Sequence, residues 1–126
     1  MTAEVVDILL AEDDYDLREA MIDVLELEGY SVKAVPNGLE ALEWLLGTSA
    51  PPSLIFLDLM MPVMDGWQFR LEQLARPALA SIPVVVLSAN EEIPVDDGVL
   101  RLRKPARSKA LLALVARYCG PRGVKT

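Results

Sequence analysis

Short apolar runs alternate along this chain with longer segments whose apolar residues recur every three or four positions. Residues 6–11, 31–35, 54–57, 84–87 and 99–103 read as strands, the last less hydrophobic than the rest. Between them, the 3.6-residue period predicts helices. The first is capped by Asp14 or Asp16 and runs to about residue 28, with Leu17, Met21, Val24 and Leu25 on one face. Gly29 suits its stop. The second starts at Asn37 or Gly38 and runs to Gly47, with Leu39, Leu42, Leu45 and Leu46 inward. The third spans about 66–76 and is ended by Pro77. The last spans 107–119, with Leu111, Leu114, Val115 and Tyr118 inward. Strands that are continuous apolar runs, separated by crossover helices, belong to a parallel sheet covered on both faces. The pattern predicts a three-layer α/β sandwich around a five-stranded parallel sheet.

One helical slot is poor. Residues 89–98 read ANEEIPVDDG. A parallel crossover with a helix needs at least about 10 to 12 residues. Pro94 interrupts this one, and Asp96-Asp97-Gly98 is turn chemistry. At most one helical turn, around residues 90–93, is expected there, so the fourth helix is shortened or missing.

The 126 residues, 52% of them hydrophobic, suit one domain with a core and not two. The expected domain is the whole chain, with its core over about 6–119 and a frayed tail at 120–126. No apolar run reaches the about 18 residues of a membrane span, and the N-terminus lacks the basic region of a signal peptide. A cytoplasmic protein without membrane partners is expected. Cys119, the single cysteine, reads as a packing residue. The net charge of −7 argues against nucleic-acid binding through bulk electrostatics. Residues 1–28 carry ten acids and one base, and residues 98–126 carry eight bases and no acid, which reads first as two solvated faces.

The chemistry gathers where the strands end. In an open parallel sheet, functional groups collect at the carboxyl ends of the strands. The first strand runs into Glu12-Asp13-Asp14, the third into Asp58, the fourth into Ser88 and the fifth into Lys104-Pro105. Neighbouring carboxylates repel, and a divalent cation removes that cost. With oxygen donors and no histidine, the set selects Mg²⁺ or Mn²⁺ over zinc. A lysine and a hydroxyl beside the metal suit a phosphoryl group. On the residues alone, Asp58 is a metal ligand, a nucleophile that forms an acyl phosphate, or a structural cap.

Four motifs in order, ILLAEDDYDLRE, LIFLDLMMPVMDG, IPVVVLSAN and LRKP, resemble those of the two-component response regulator receiver domains, the CheY-like family. The resemblance covers about residues 6–119 and implies a flavodoxin-like fold with strand order 2-1-3-4-5. It implies Asp58 as the phosphoacceptor, Asp13 as a direct metal ligand, Glu12 as a ligand through water, and the Met60 backbone carbonyl as a further ligand. Ser88 and Lys104 would bind phosphoryl oxygens, and Pro105 would follow a cis peptide bond. Asp14 is read as a helix cap. Trp67 is read as packing at a helix start, and Met60, Met61 and Met64 as loop packing.

The phosphodonor would be a histidine kinase or phosphotransfer protein, and output would pass to an unknown protein partner. The domain would catalyse only its own phosphorylation and dephosphorylation. One departure is Arg101, which stands where receivers commonly carry Tyr or Phe. It keeps open the alternative of a phosphorylation-independent receiver-like scaffold. A phosphatase of the haloacid dehalogenase type is disfavoured because Met60 occupies the place of its second acid. A flavin-binding reading is disfavoured because Glu12-Asp13-Asp14 would repel a phosphate.

Overall fold

Three of the five apolar runs are strands buried at every residue: β1 (Ile8–Ala11), β3 (Leu54–Asp58) and β4 (Val84–Ser88). In the computed structural model, which describes residues 5–89 and 99–120, they form the middle of a five-stranded parallel sheet. The edge strands are β2 (Val32–Val35) and β5 (Leu100–Arg103), and the order is β2-β1-β3-β4-β5. The order and the parallel pairing agree with the sequence expectation.

The two-residue period of the strands divides the core. Leu9, Ala11, Ile55, Leu57, Val84 and Val86 face one layer, which holds α2 (Gly38–Gly47), α3 (Gly66–Leu74) and α4 (Pro77–Ala80). Ile8, Leu10, Leu54, Phe56, Val85 and Leu87 face the other, which holds α1 (Tyr15–Leu27) and α5 (Ser108–Cys119). Burying each such large aliphatic or aromatic side chain stabilises the fold by about 1.5–3 kcal/mol. The register matters for function. Ala11 pairs with Leu57, Asp58 with Leu87, and Ser88 with Arg103. The carboxyl ends therefore form one edge.

Several boundaries differ from expectation for local reasons. β1 begins at Ile8 and β2 at Val32, and Asp7 and Ser31 bond to each other just before them. The Asp7 carboxylate accepts the Ser31 amide at 2.9 Å. Helix α3 stops at Leu74, and Pro77 opens α4 instead of only closing α3. Arg76 is extended, as a residue before proline prefers, and proline at the first helical position lacks only an amide that has no partner there.

On α2, Leu39 and Leu46 are exposed, not inward. The helix packs instead through Gly38, Ala41, Leu42 and Leu45. Gly38 sets that rotation: a Cβ there would lie 2.6 Å from the Met64 carbonyl oxygen. On α1 and α5, the fully buried positions are Met21, Leu25, Leu111 and Val115, with Leu17, Val24, Leu114 and Tyr118 partly buried beside them. Cys119 is half-buried, and its thiol donates to the Asp7 carbonyl at 3.9 Å. The segment 90–98, on which the expectation of a shortened fourth helix falls, lies outside the described residues. Among the described residues, no helix is long and apolar enough to cross a membrane.

Candidate functional site

The turn after β1 is built around Glu12. Its amide donates to the Val35 carbonyl on β2 at 3.0 Å. Its carbonyl accepts the Arg18 guanidinium, one turn into α1, at 2.8 Å. Its Oε2 accepts the Asp14 amide at 3.0 Å. Asp14 caps α1 by accepting the Leu17 amide at 3.0 Å, as its residue type prefers. Glu12 is fully buried, whereas Asp13 is turned outward to the edge of the sheet.

Asp58 ends β3 and is only 2% exposed. Its Oδ1 accepts the Met60 amide at 3.1 Å. Helix α3 presses on this strand end: a Cβ on Gly66 would lie 2.6 Å from the Asp58 carbonyl oxygen and 2.8 Å from Leu59 Cα. The loop between them is tied to α2, whose Gly38 amide donates to the Met64 carbonyl at 2.8 Å. Val63 in this loop adopts φ 68°, a left-handed conformation that is strained for a β-branched residue. Ser88 ends β4 and is buried. Its carbonyl accepts the Lys104 amide at 3.0 Å, and the Lys104–Pro105 peptide is cis, as expected.

These elements converge. Lys104 Nζ lies 2.8 Å from Glu12 Oε1 and 3.1 Å from Asp58 Oδ2. Among the described residues neither oxygen receives a well-aligned hydrogen bond, so the ammonium compensates them by charge. Carboxylate oxygens of Glu12, Asp13 and Asp58 all lie within 4.8 Å of one another. Asp58, Met60, Ser88, Ala89 and Lys104 line one cleft beside them. One lysine thus pairs with two of the three clustered carboxylates.

The titration behaviour follows. Burial, and then the neighbouring Glu12, hold the Asp58 carboxyl above the ordinary aspartate range. Partial burial and Asp58 do the same for Asp13. Desolvation pulls the Lys104 ammonium down, but Glu12 and Asp58 outweigh it and its pKa lies above the ordinary lysine value. Hard oxygen donors around excess negative charge fit a Mg²⁺ or Mn²⁺ ion.

The structure brings together every residue singled out from the sequence: Glu12, Asp13, Asp58, Met60, Ser88 and Lys104. It also separates residues that belong elsewhere. Met61 is core, Met64 packs against it, and Trp67 lines an apolar groove with Leu71 and Leu74. Met60 is not packed; its side chain is 65% exposed at the rim. Arg101 lies in β5 opposite Val86. Sequence reasoning missed Arg18, whose contact needs the helix to fold back on its own first turn. It also missed the Glu12–Lys104 pair, which joins residues 92 positions apart.

An open parallel sheet whose carboxyl edge carries three acids, a hydroxyl and a lysine places the chain in the doubly wound class. The family model for the response regulator receiver domain matches residues 8–115, and the chain belongs to that family. The CpxR homolog of Haemophilus influenzae, a transcriptional regulatory protein, is 38% identical over 85 residues. The match covers 68% of this chain but 35% of that protein, so the chain spans about a third of that relative.

Among solved structures, the receiver domain of a signal transduction histidine kinase from Syntrophus aciditrophicus is 31% identical with a TM-score of 0.77, covering 91% of this chain and 90% of that one. The receiver domain of the sensor histidine kinase PA1611 from Pseudomonas aeruginosa is 25% identical with a TM-score of 0.82, covering 93% and 99%. Its structure holds a magnesium ion in the active-site cleft. The chain is a receiver domain of two-component systems, a signalling domain and not a classical enzyme.

Proposed function

We propose that Asp58 accepts a phosphoryl group from a phosphohistidine on a partner protein, and that this change regulates contacts with an output protein. The observation that carries the reading is the position of Asp58. It is a buried carboxylate at a strand end, compensated by Lys104 and grouped with two further acids. A purely structural cap needs neither the lysine nor the acids.

In the reaction, an Asp58 carboxylate oxygen attacks phosphorus. The new P–O bond forms as the P–N bond to the donor imidazole breaks, and the bonding pair leaves with that nitrogen. These 126 residues contain no histidine, so the phosphohistidine lies outside this domain. Lys104 and Ser88 stand in the same cleft and would hold the phosphoryl oxygens as charge develops on them. The Met60 amide keeps the Asp58 side chain oriented by holding Oδ1.

Asp13 and Asp58 would ligate Mg²⁺ or Mn²⁺ directly, with the Met60 carbonyl as a further ligand and Glu12 acting through water. When bound, the ion offsets carboxylate repulsion and neutralises the transferring group. The same site would catalyse its own dephosphorylation, by water attacking the acyl phosphate at phosphorus and releasing phosphate and the Asp58 carboxylate.

The reading is tested with phosphoramidate, whose P–N bond imitates phosphohistidine. With Mg²⁺ present, ³¹P NMR should show an acyl phosphate on the wild type and none on Asp58→Asn. A signal of equal size in the variant would place the acceptor elsewhere.

A further inference from the structure

Lys104 is shared between two carboxylates, and the closer one is not the phosphoacceptor. Its Nζ lies 2.8 Å from Glu12 Oε1 and 3.1 Å from Asp58 Oδ2. Glu12 has no freedom to follow the lysine elsewhere. Its amide is held by Val35, its carbonyl by Arg18 and its Oε2 by the Asp14 amide, and the residue is fully buried. Oε1 is the oxygen of this carboxylate left to the ammonium, and among the described residues it has no aligned hydrogen bond of its own.

We infer that Glu12 tethers Lys104, weakens the hold of that lysine on a phosphoryl group carried by Asp58, and so tunes how long the phosphorylated state persists. The inference rests on the function proposed above. An ammonium has three N–H donors, and each one directed at Glu12 is withdrawn from the phosphoryl oxygens. Complete departure of Lys104 toward the phosphoryl group would strip Oε1 of its direct counter-charge and leave it only the ion reached through water. A buried carboxylate that loses its direct partner is costly in a protein. Glu12 therefore opposes the phosphorylated arrangement whether the lysine stays or leaves. It is a positioning residue that acts through Lys104, a role distinct from ligating the metal through water.

Glu12→Gln tests this. The amide keeps the length of the side chain and an acceptor for the Asp14 amide, and removes the charge that holds Lys104. The probe is beryllofluoride, a phosphoryl mimic, titrated calorimetrically with Mg²⁺ saturating each protein. Glu12→Gln is expected to bind it about tenfold more tightly than the wild type. In the metal-free variant, the ¹⁵N resonance of Lys104 Nζ should move, which a loss of general stability would not cause. Glu12→Asp keeps the charge but withdraws it by one methylene, so its affinity should rise by less.

Equal or weaker binding by folded Glu12→Gln would overturn the inference. Should that variant not fold, unchanged or weaker binding by Glu12→Asp would overturn it alone. Failure of the wild type to bind beryllofluoride, or equal binding by Asp58→Asn, would instead remove the phosphoacceptor reading and this inference with it.

Discussion

Replacing Asp13 by Asn should stabilise the metal-free protein. The carboxylate oxygens of Glu12, Asp13 and Asp58 lie within 4.8 Å of one another. At that separation and an effective dielectric of about 20, two like charges repel by about 3 kcal/mol. Asp13 is exposed, so solvent and salt screen its share to about 1 kcal/mol. For a chain of this length, such a gain raises the melting temperature by about 3–6 °C. The assay is differential scanning calorimetry at low ionic strength, with chelator and then with Mg²⁺. The wild type should gain stability from Mg²⁺ by mass action, and the variant little or none.

The pH dependence has a fixed sign. Asp13 and Asp58 have folded pKa values above the ordinary aspartate value. The folded state therefore binds their protons more tightly, which stabilises it below that ordinary value. The contribution is lost as pH rises through the raised folded values. The gap between variant and wild type should be small below about pH 4 and open above it. A variant that melts at or below the wild-type temperature at neutral pH without metal would refute the reasoning that these charges repel at a cost to the fold.

Other substitutions probe the scaffold of the site. Lys104→Ala should fold but lose about 2 kcal/mol, because two buried oxygens lose their counter-charge; urea titration measures this, and unchanged stability would contradict the pairing. Gly66→Ala should destabilise by about 1–3 kcal/mol despite the better helix propensity of alanine, because the new methyl meets the backbone of Asp58 and Leu59. Phosphorylation by small donors should fall with it, and a stabilised, fully active variant would argue against the contact. Val63→Gly should gain about 1 kcal/mol by relieving the left-handed φ, read as a higher urea midpoint.

Part of the site was legible because Glu12, Asp58, Ser88 and Lys104 each sit at the end of a strand run, whereas the roles of Asp13 and Met60 came only with the family resemblance. Asp58 follows Leu54 to Leu57, and Lys104 follows the weakest run, so the sheet topology alone carried both to one edge. Asp14 was legible as a cap from its residue type. What escaped the sequence depended on close approach. Nothing in the period of α2 distinguished Leu39 and Leu46 from Leu42 and Leu45; the small Gly38 against the Met64 carbonyl did. Pro77 marked an interruption, but whether a new helical turn began there was decided by the extended Arg76. The preference of Lys104 for Glu12 over Asp58 is a matter of a few tenths of an ångström, which spacing along a chain does not encode.

The central claim, that Asp58 takes a phosphoryl group, is tested most directly by intact-mass measurement after incubation with acetyl phosphate and Mg²⁺. The wild type should gain the mass of one phosphoryl group, lose it on treatment with hydroxylamine, and gain nothing when the metal is chelated. Asp58→Asn, folded as the wild type by circular dichroism, should gain nothing under any of these conditions. A wild type that never gains the group, or an Asp58→Asn variant that gains it as readily, would contradict the account.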